Sequence, residues 1–567
     1  MKKKIKNKPL IMMAVLVIII IALGTVLMIY RYSPTSERMK LSDYYKVSGN
    51  KAALIFDGEY LKDEDGKAAG ALIFDGKIYL SLDFVKDKLD DAYVYDSEAR
   101  ILRYVTDKDV YSVNAGEKSY TVGSETKENK NVIIQDQDGT AYIDPDFASL
   151  LTDFRYKTSS SPDRIIVKKA GWKYQEAEVR RDTQVRRFGG VKSLVLSDLS
   201  KKSKVTVLEN YGKWSKIVTD DGVIGCVLNS TLGNVTDKKV QKTLEKRTYK
   251  HKKLGGKVNL AWCQVTNKTA NQNALFYIDK MKGVNVISPT WFYIADGNGN
   301  IGNRSSLDFV TTCHSKNIQV WGLISNFENS DIDVSSAINR TASRDNLVNQ
   351  TLAAAIAADL DGINVDFESI SEKDKDGYLE FIRELSLKCE KNDIILSVDN
   401  YVPTQYTAFY DRANQADFAD YIIMMAYDEH YAGSKEAGSN SSYPFVSNGI
   451  KDTIKEVPSD QVVLGLPFYT RIWCTENGNV TSKSYAMDNA VQEMQSKGAE
   501  TRWLDKEQQN YAEYTDGDKL YQCWIEDEKS LTLKLKLVQD DKLAGAAFWK
   551  MGLEDPDIWN AISTYLE

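Results

Sequence analysis

Three carboxylates and one amide stand within eight residues at positions 361–368, which read Asp-Gly-Ile-Asn-Val-Asp-Phe-Glu. Successive side chains of a β-strand point to opposite faces, so Asn364, Asp366 and Glu368 are predicted to share one face. A polar row on a buried strand is costly unless its members are paired or line a site. We therefore expect the row to be paired or to line a site, and any hydrolytic chemistry of this chain to use carboxylates. Asp361 stands at an odd number of positions from these three residues, so its side chain does not share their face. It is predicted to be a supporting, structural residue.

The composition of the chain argues against several other kinds of site. Its 567 residues are 43% hydrophobic and 27% charged, which is typical of folded globular protein. The net charge of -7 argues against a general nucleic-acid binder. The six cysteines include no Cys-x-x-Cys pair, and the three histidines are not spaced as metal ligands or as part of a Ser-His-Asp triad. We therefore expect no metal, no cofactor and no nucleic-acid partner.

The chain from residue 256 to residue 567 alternates predicted strands and helices. Strands are predicted at 258–261, 284–289, 318–324, 363–367, 394–398, 421–425, 462–466 and 545–548. Eight such units in about 300 residues predict an α/β fold, the (β/α)8 TIM barrel, whose catalytic groups lie at the carboxyl ends of the strands. Glu368 follows the fourth predicted strand. The longest gap, between the last two strands, predicts a small insertion near residues 474–535.

The amino-terminal region predicts a membrane helix. Residues 1–9 form a lysine-rich tail, and residues 10–30 form an almost uninterrupted apolar run. About 20 apolar residues span a bilayer as a helix, and the lysines predict a cytoplasmic amino terminus. The prediction is a single-pass protein of the cell membrane with its catalytic domain outside the cell. A cleaved signal peptide is the alternative, although the run is longer than the core of a signal peptide and no clear small-x-small cleavage site follows it.

Residues 41–170 predict the first of two small β-rich domains that precede the barrel. The sequence Ala-Leu-Ile-Phe-Asp-Gly occurs at residues 53–58 and is repeated without change at residues 71–76. Together with the strand pattern over residues 76–96, it resembles the stalk-type domain named after the copper amine oxidase amino terminus. The resemblance implies a β-rich spacer or a binding module, and it does not imply copper.

Residues 175–235 predict the second β-rich domain. Short strands and the turns Tyr211-Gly and Asp221-Gly give a pattern that resembles a bacterial Src-homology-3 domain over nearly its whole length. The resemblance implies docking on cell-wall peptide, although a packing module without a ligand is equally open. Residues 236–255 follow as a basic linker.

The carboxylate row resembles the Asp-x-x-Asp-x-Asp-x-Glu signature of glycoside hydrolase family 18. Three further motifs fall at the expected strand ends: Met425-Ala-Tyr-Asp428 after the sixth strand, Trp549 after the eighth, and Ser288-Pro-Thr-Trp291 after the second. The last motif is similar to the peptidoglycan and spore-cortex N-acetylglucosaminidase branch of the family. The resemblance covers about residues 255–567 and implies a glycosidase with a TIM barrel.

The resemblance also implies a role for each matched residue. Glu368 is the general acid, and Asp366 orients the substrate's acetamido group, which acts as the nucleophile in this family. Tyr427 donates a hydrogen bond to the acetamido oxygen, and Trp549 stacks under the sugar ring. The remaining predicted substrate contacts are Asp428, Met425, Trp291, Asn326 and Asn400; for Asn326, Asn400 and the neighbouring Asp399, loop capping is an equally open role.

Three functions are compatible with this pattern. The first is a membrane-anchored extracellular glycosidase that cleaves β-1,4 bonds after N-acetylglucosamine in peptidoglycan, docked on the cell wall through the Src-homology-3-like domain. The second keeps the chemistry and takes chitin oligosaccharides as substrate. The third is a non-catalytic, lectin-like surface protein. The presence of Glu368 favours an enzyme over a lectin.

Asn364 generates a testable prediction, because the family usually has an aspartate at this position. An amide can donate a hydrogen bond to Asp366 but cannot share a proton with it. We expect activity to be retained with an altered pH dependence, so Asn364→Asp should change the pH–rate profile. An unchanged profile in that variant would contradict this interpretation.

Overall fold

The structure is a computed structural model that describes residues 8–329 and 331–566. The chain forms two compact units, Met1–Ser97 with Ser112–Lys246 and Glu98–Tyr111 with Arg247–Glu567. The lysines at positions 2, 3, 4 and 6, on which the predicted cytoplasmic tail rests, lie outside the described residues. The predicted fold class is confirmed: a β-rich amino-terminal region and one apolar helix precede a parallel barrel.

The first unit begins with the helix Lys8–Tyr32, whose stretch Pro9–Tyr32 is long and apolar enough to cross a membrane. The apolar side chains of this helix are exposed to their surroundings. A bilayer would remove that surface from water, whereas a helix of a soluble core would bury it against protein. The helix is thus a candidate for the predicted membrane span.

The repeated phrase in the first unit forms two similar β-hairpins. Strand Ala53–Phe56 pairs with Glu59–Leu61, and Ala71–Phe74 pairs with Lys77–Ser81. Each hairpin turns at an Asp-Gly pair in which both residues have positive φ. This conformation is that of the two-residue turn whose twist matches the flanking strands.

The rest of the first unit is also β-rich. A seven-stranded antiparallel sheet holds strands from Lys173–Val179 to Leu232–Lys239 and so covers the predicted Src-homology-3-like region. The identities of this domain and of the stalk-like domain remain predictions. The other strands of the unit are Tyr93–Asp96, Ser119–Val122, Glu125–Glu128, Ile134–Gln137, Thr140–Ile143, Phe154–Ser159, Arg164–Lys169, Thr183–Arg186, Val195–Leu199, Lys204–Tyr211, Trp214–Thr219 and Ile224–Leu228, and its short helices are Leu41–Tyr44, Leu82–Phe84 and Pro145–Leu151.

The second unit is built around eight parallel strands that close into a barrel, because the first strand pairs with both the second and the eighth. All eight predicted strands are present, and the second is longer than predicted. The strands are β1 Val258–Cys263, β2 Val286–Ile294, β3 Gln319–Ser325, β4 Gly362–Asp366, β5 Ile395–Tyr401, β6 Tyr421–Met425, β7 Val462–Pro467 and β8 Gly545–Trp549; a short strand, Ile301–Asn303, pairs antiparallel with β2.

Helices cover the outside of the barrel. They are α1 Lys268–Ile278, α2 Leu307–His314, α3 Val334–Asn339, α4 Thr341–Ala357, α5 Lys375–Lys391, α6 Arg412–Phe418, α7 Tyr443–Thr453, α9 Glu528–Asp540 and α10 Ile558–Leu566; helix α8, Met487–Ser496, belongs to the insertion described below. The apolar members of β4, Ile363 and Val365, pack outwards into the core shared with these helices. The polar members therefore point into the barrel, as the alternation predicts.

The predicted insertion is a five-stranded antiparallel sheet with helix α8 against one face. It runs from residue 469 to residue 525, so it begins five residues earlier than predicted, and α9 is a barrel helix. Its strands are Tyr469–Glu476, Asn479–Ala486, Thr501–Leu504, Gln509–Asp516 and Lys519–Ile525. Cys474 and Cys523 lie on neighbouring strands of this sheet, and both are free thiols.

Residues 98–111, which the sequence assigned to the stalk-like domain, group with the barrel. They include strand Ile101–Val105 and most of the hairpin that continues into Val110–Asn114. The Arg103 guanidinium lies 2.7 Å from the Asp345 carboxylate on α4. The pair is partly buried, with the Arg103 side chain 17% exposed, and it ties this segment to the barrel helix within the second unit.

A buried ion pair joins α4 to α5 and generates a prediction about stability. Arg344 and Glu384 are 0% and 4% exposed, and the Arg344 Nε lies 3.1 Å from Glu384 Oε2. Removing one partner of such a pair costs about 3–5 kcal/mol because the other charge stays buried without compensation. Arg344→Met should therefore lower the urea midpoint of barrel unfolding markedly. The double variant Arg344→Met with Glu384→Leu should recover most of the loss.

The same pair predicts the sign of a pH effect. Burial raises the pKa of Glu384 to about 7, although the Arg344 charge opposes the rise. A raised folded-state pKa gives stability that is present below the unfolded value of about 4.3 and is lost as the pH rises through about 7. Arg344→Met should therefore be less damaging at pH 5 than at pH 8. Equal losses at both pH values would contradict this reading.

Candidate active site

Strands β4 and β5 lie side by side and carry two parallel polar rows into the barrel. Val365 pairs with Val398, so Asp366 and Asp399 follow as the next residues on the two strands. Glu368 stands two residues beyond Asp366, and Tyr401 stands two residues beyond Asp399. The carboxyl ends of these two strands thus assemble the polar centre of the site.

Asn364 is fully buried and connects four strands by hydrogen bonds. Its Oδ1 accepts from Trp262 Nε1 on β1 at 2.9 Å and from Ser288 Oγ on β2 at 3.0 Å. Its Nδ2 donates to Asp399 Oδ1 on β5 at 2.8 Å. The prediction that this amide donates to Asp366 is wrong. Residues two apart on one strand are about 6.6 Å apart, whereas neighbouring strands are about 4.8 Å apart, so the cross-strand carboxylate is the nearer partner.

Asp366 is 5% exposed. Burial raises its pKa well above the usual value, and the charges of Asp399 and Glu368 raise it further. Glu368 and Asp366 therefore oppose each other's ionisation, as two like charges in a poorly hydrated place must. A proton is held in this cluster at pH values where exposed carboxyl groups have lost theirs.

Glu368 is held from two directions. The Tyr401 hydroxyl donates a hydrogen bond to Glu368 Oε2 at 2.8 Å. The Asn326 side chain binds the backbone of Glu368: its Oδ1 accepts from the N–H at 2.8 Å, and its Nδ2 donates to the carbonyl oxygen at 2.7 Å. Burial raises the pKa of Glu368, the Tyr401 hydrogen bond lowers it in part, and the Asp428 charge adds to the rise. Of the two roles left open for Asn326, the structure gives it loop capping.

An aromatic group from three distant strands borders the carboxylates. The Trp262 ring lies 6.4 Å from Tyr427 and 6.0 Å from Trp549, edge to face in both cases. Tyr427 and Trp549, predicted from separate motifs, are therefore brought together through Trp262. Burial and the nearby charges of Asp366 and Asp399 raise the pKa of Tyr427 well above its usual value, so its hydroxyl stays a donor.

Asp428 links the barrel to the insertion. Its Oδ1 accepts from Tyr469 Oη at 2.8 Å and from Arg471 Nη2 at 3.0 Å, both on the first strand of the insertion. The Asp428 side chain is partly exposed. The backbone of this residue is in the left-handed region, with φ 55°. Met425 is buried at the end of β6. Contact of either residue with substrate remains a prediction.

Two predicted substrate contacts are core residues in the structure. Trp291 is 0% exposed; its Nε1 donates to Asn271 Oδ1 at 2.7 Å, and its ring packs on Phe309. Ser288, three residues earlier on β2, points into the barrel, so the alternation along the strand places Trp291 on the outer face. Asn400 is likewise buried and hydrogen-bonds Gln415 at 2.7 Å, because it stands on the outer face of β5. Neither side chain reaches the barrel interior.

Asp361 lies at the amino end of β4, away from the catalytic edge. Its Oδ2 accepts from the Val320 N–H at 2.7 Å and lies 2.9 Å from His314 Nε2. These contacts tie the strand to its neighbour and to α2, which is a supporting role.

Reasoning from the sequence missed Tyr401 and Trp262. The sequence does contain a signal for Tyr401. Ser397, Asp399 and Tyr401 stand at alternate positions of β5 and so share one face, as the polar residues of β4 do. Trp262 could be found only from its place near the end of the first strand, where an aromatic ring can border a site.

A sequence profile of glycosyl hydrolases family 18 matches residues 258–554, more than half of the chain. The chain belongs to this family. The uncharacterized glycosylase YvbX of Bacillus subtilis is 27% identical over 312 residues, which cover 52% of this chain and 88% of that protein. The cortical fragment-lytic enzyme of the same organism is 23% identical over 281 residues, or 47% of this chain and 65% of that protein.

Solved structures of family 18 share the fold. The spore cortex-lytic enzyme SleL of Bacillus cereus superposes with a TM-score of 0.51 at 19% identity, covering 60% of this chain and 79% of that one. The match agrees with the closed eight-stranded barrel described above. The chain is therefore a family 18 glycosidase.

The hydrogen bond from Tyr401 to Glu368 generates a prediction. Tyr401→Phe removes a donor that stabilises the ionised form of Glu368, so the pKa of the acid should rise. The alkaline limb of kcat/KM should move to higher pH, and kcat should fall about tenfold because the carboxylate formed on proton transfer loses a partner.

A matched control is Tyr565→Phe in α10. Barrel helices run back against their strands, so the carboxyl end of this helix lies towards the opposite edge of the barrel. We expect this variant to keep the wild-type pH profile. If Tyr401→Phe also keeps the wild-type pH profile, the hydrogen bond from Tyr401 does not affect the pKa of Glu368.

Proposed function

We propose that this protein is a membrane-anchored, extracellular glycosidase that cleaves β-1,4 bonds after N-acetylglucosamine in cell-wall peptidoglycan, with retention of configuration. The observation that carries the proposal is the position of Glu368. Its carboxyl is held by Tyr401 at the mouth of the barrel, next to buried Asp366 and close to the Tyr427 hydroxyl.

The first step breaks the glycosidic bond. Glu368 gives its proton to the leaving oxygen, and the carbonyl oxygen of the substrate's acetamido group attacks C1 as the C1–O bond breaks. Asp366 accepts the acetamido N–H and stabilises the positive charge of the oxazolinium ion. Tyr427 donates to the acetamido oxygen and holds it for the attack. Binding of the reacting group in the attack geometry removes much of the entropic barrier.

The second step restores the acid. The Glu368 carboxylate takes a proton from water, and the oxygen of that water attacks C1 from the side of the departed group. The oxazolinium ring opens, the acetamido group is regenerated, and the product keeps the β configuration. The raised pKa of Glu368 suits a group that must serve as acid first and as base second.

The wall substrate is supported by three features outside this chemistry. The helix Lys8–Tyr32 would place the barrel at the outer face of a membrane, and the β-rich first unit would dock on the wall or act as a spacer. Relatives of the barrel include the cortical fragment-lytic enzyme of Bacillus subtilis. Trp549 would form the floor under one sugar ring. We therefore favour peptidoglycan over chitin oligosaccharides.

Glu368→Gln separates an enzyme from a lectin. A general acid contributes about 10²–10⁴-fold, so the variant should lose turnover by that factor and keep sugar binding, measured by calorimetry with an N-acetylglucosamine oligomer. Glu372→Gln, an exposed residue four positions later, is the matched control and should keep full activity. A wild-type protein that binds the oligomer without any turnover would contradict the enzyme proposal.

Digestion of purified wall tests the substrate. The full-length protein in detergent should release fragments with new reducing-end N-acetylglucosamine, detected by borohydride reduction and mass spectrometry. Cleavage of chitin oligomers without any such ends from wall material would replace peptidoglycan by chitin. New reducing-end N-acetylmuramic acid would contradict the predicted bond.

A further inference from the structure

Asp366 and Asp399 form a buried carboxylate pair that the mechanism above uses only in part. They follow one another across the β4–β5 register and are 5% and 2% exposed. Asp366 Oδ1 and Asp399 Oδ2 are buried without a hydrogen-bond partner among the described residues. Within the same part of the chain, no salt bridge reaches either carboxylate. Two charges in this place would be costly to keep.

The hydrogen bonds of Asn364 fix where a proton on Asp399 can sit. Trp262 Nε1 and the Ser288 hydroxyl both donate to Asn364 Oδ1, so the amide nitrogen must face Asp399. That nitrogen donates to Asp399 Oδ1, which must therefore accept. A proton on Asp399 is left for Oδ2, the oxygen that has no partner.

The surroundings of the pair favour a single negative charge. Glu368 faces it from the loop after β4, Tyr378 from α5, Tyr410 from the segment after β5, and Tyr427 from the end of β6. Burial raises the pKa of both aspartates, with the Glu368 charge adding to each. Among the residues that the structure describes, the cation next to this group is Arg412, which acts on Tyr378 and Tyr410. Two buried carboxyl groups on neighbouring strands favour the retention of one proton over two negative charges.

We propose that Asp399 is the proton-sharing partner of Asp366 and replaces, from β5, the aspartate that the family usually carries at position 364 on β4. It is a positioning residue: its Oδ2–H donates to Asp366 Oδ1 and leaves the other oxygen of Asp366 to accept the acetamido N–H. The effect of Asp399 on catalysis rests on the proposed function. The proton shared by the two aspartates does not depend on that function.

Infrared spectroscopy tests the shared proton without catalysis. In a Glu368→Gln background at pH 7, adding Asp399→Asn should remove one carbonyl band of a protonated carboxylic acid from the difference spectrum. Adding Asp393→Asn, which replaces an almost fully exposed carboxylate, should remove none. Retention of every acid band in the Asp399→Asn variant would overturn the proposal, whatever the enzyme cleaves.

Activity tests the positioning role. With Glu368 intact, Asp399→Asn should lower kcat about tenfold to hundredfold and change KM less than threefold. The exchange Asn364→Asp with Asp399→Asn returns the carboxyl to β4 and should recover at least tenfold of the loss. Thermal melting shows whether each variant is folded. If Asp399→Asn alone is unfolded, the exchange variant still provides the test, because it keeps one carboxyl and one amide at these two positions. A folded exchange variant without recovery would overturn the replacement.

Loss of the infrared band with a wild-type protein that cleaves no glycan would mean that the proposed function fails while the proton-sharing pair stands. Full activity of Asp399→Asn, within twofold of wild type, would overturn the positioning role instead.

Discussion

The hydrogen bonds of Asn364 join strands β1, β2, β4 and β5 at the centre of the barrel and set the direction of the polar contacts between them. Two donors on β1 and β2 determine which way its amide faces, and the amide then determines which oxygen of Asp399 accepts. A buried amide of this kind is stable only when all of its groups are satisfied. The arrangement joins four strands and leaves the unsatisfied oxygens of the two aspartates as the place where a proton is held.

The acid of the proposed reaction depends on that centre. Glu368 lies at the edge of this group of carboxyls, and its pKa is raised mainly by burial, with the Asp428 charge adding to the rise. Tyr401 and Asn326 then fix the side chain and the backbone of this residue. A proton donor with a raised pKa and a defined orientation is what glycoside cleavage requires.

The sequence was sufficient for the barrel and for the order of its strands, because hydrophobic alternation and the strand-end motifs report local structure. It also placed Asn364, Asp366 and Glu368 on one face of β4. It did not reveal contacts between strands: the partner of Asn364 is on β5, and Tyr401 reaches Glu368 across the same register. Contacts of this kind depend on the register between strands, which periodicity alone does not encode. Trp291 was misassigned for a different reason: the motif match was made without its strand face, although the alternation from Ser288 places Trp291 outwards.

The account rests most directly on the acetamido group of the substrate acting as the nucleophile beside Glu368 and Asp366. Proton NMR of the first product from peptidoglycan glycan strands measures the configuration at the newly formed reducing end before mutarotation. The account predicts that the β-anomer forms first. Initial formation of the α-anomer would mean that water attacks directly from the opposite face, and it would contradict the account.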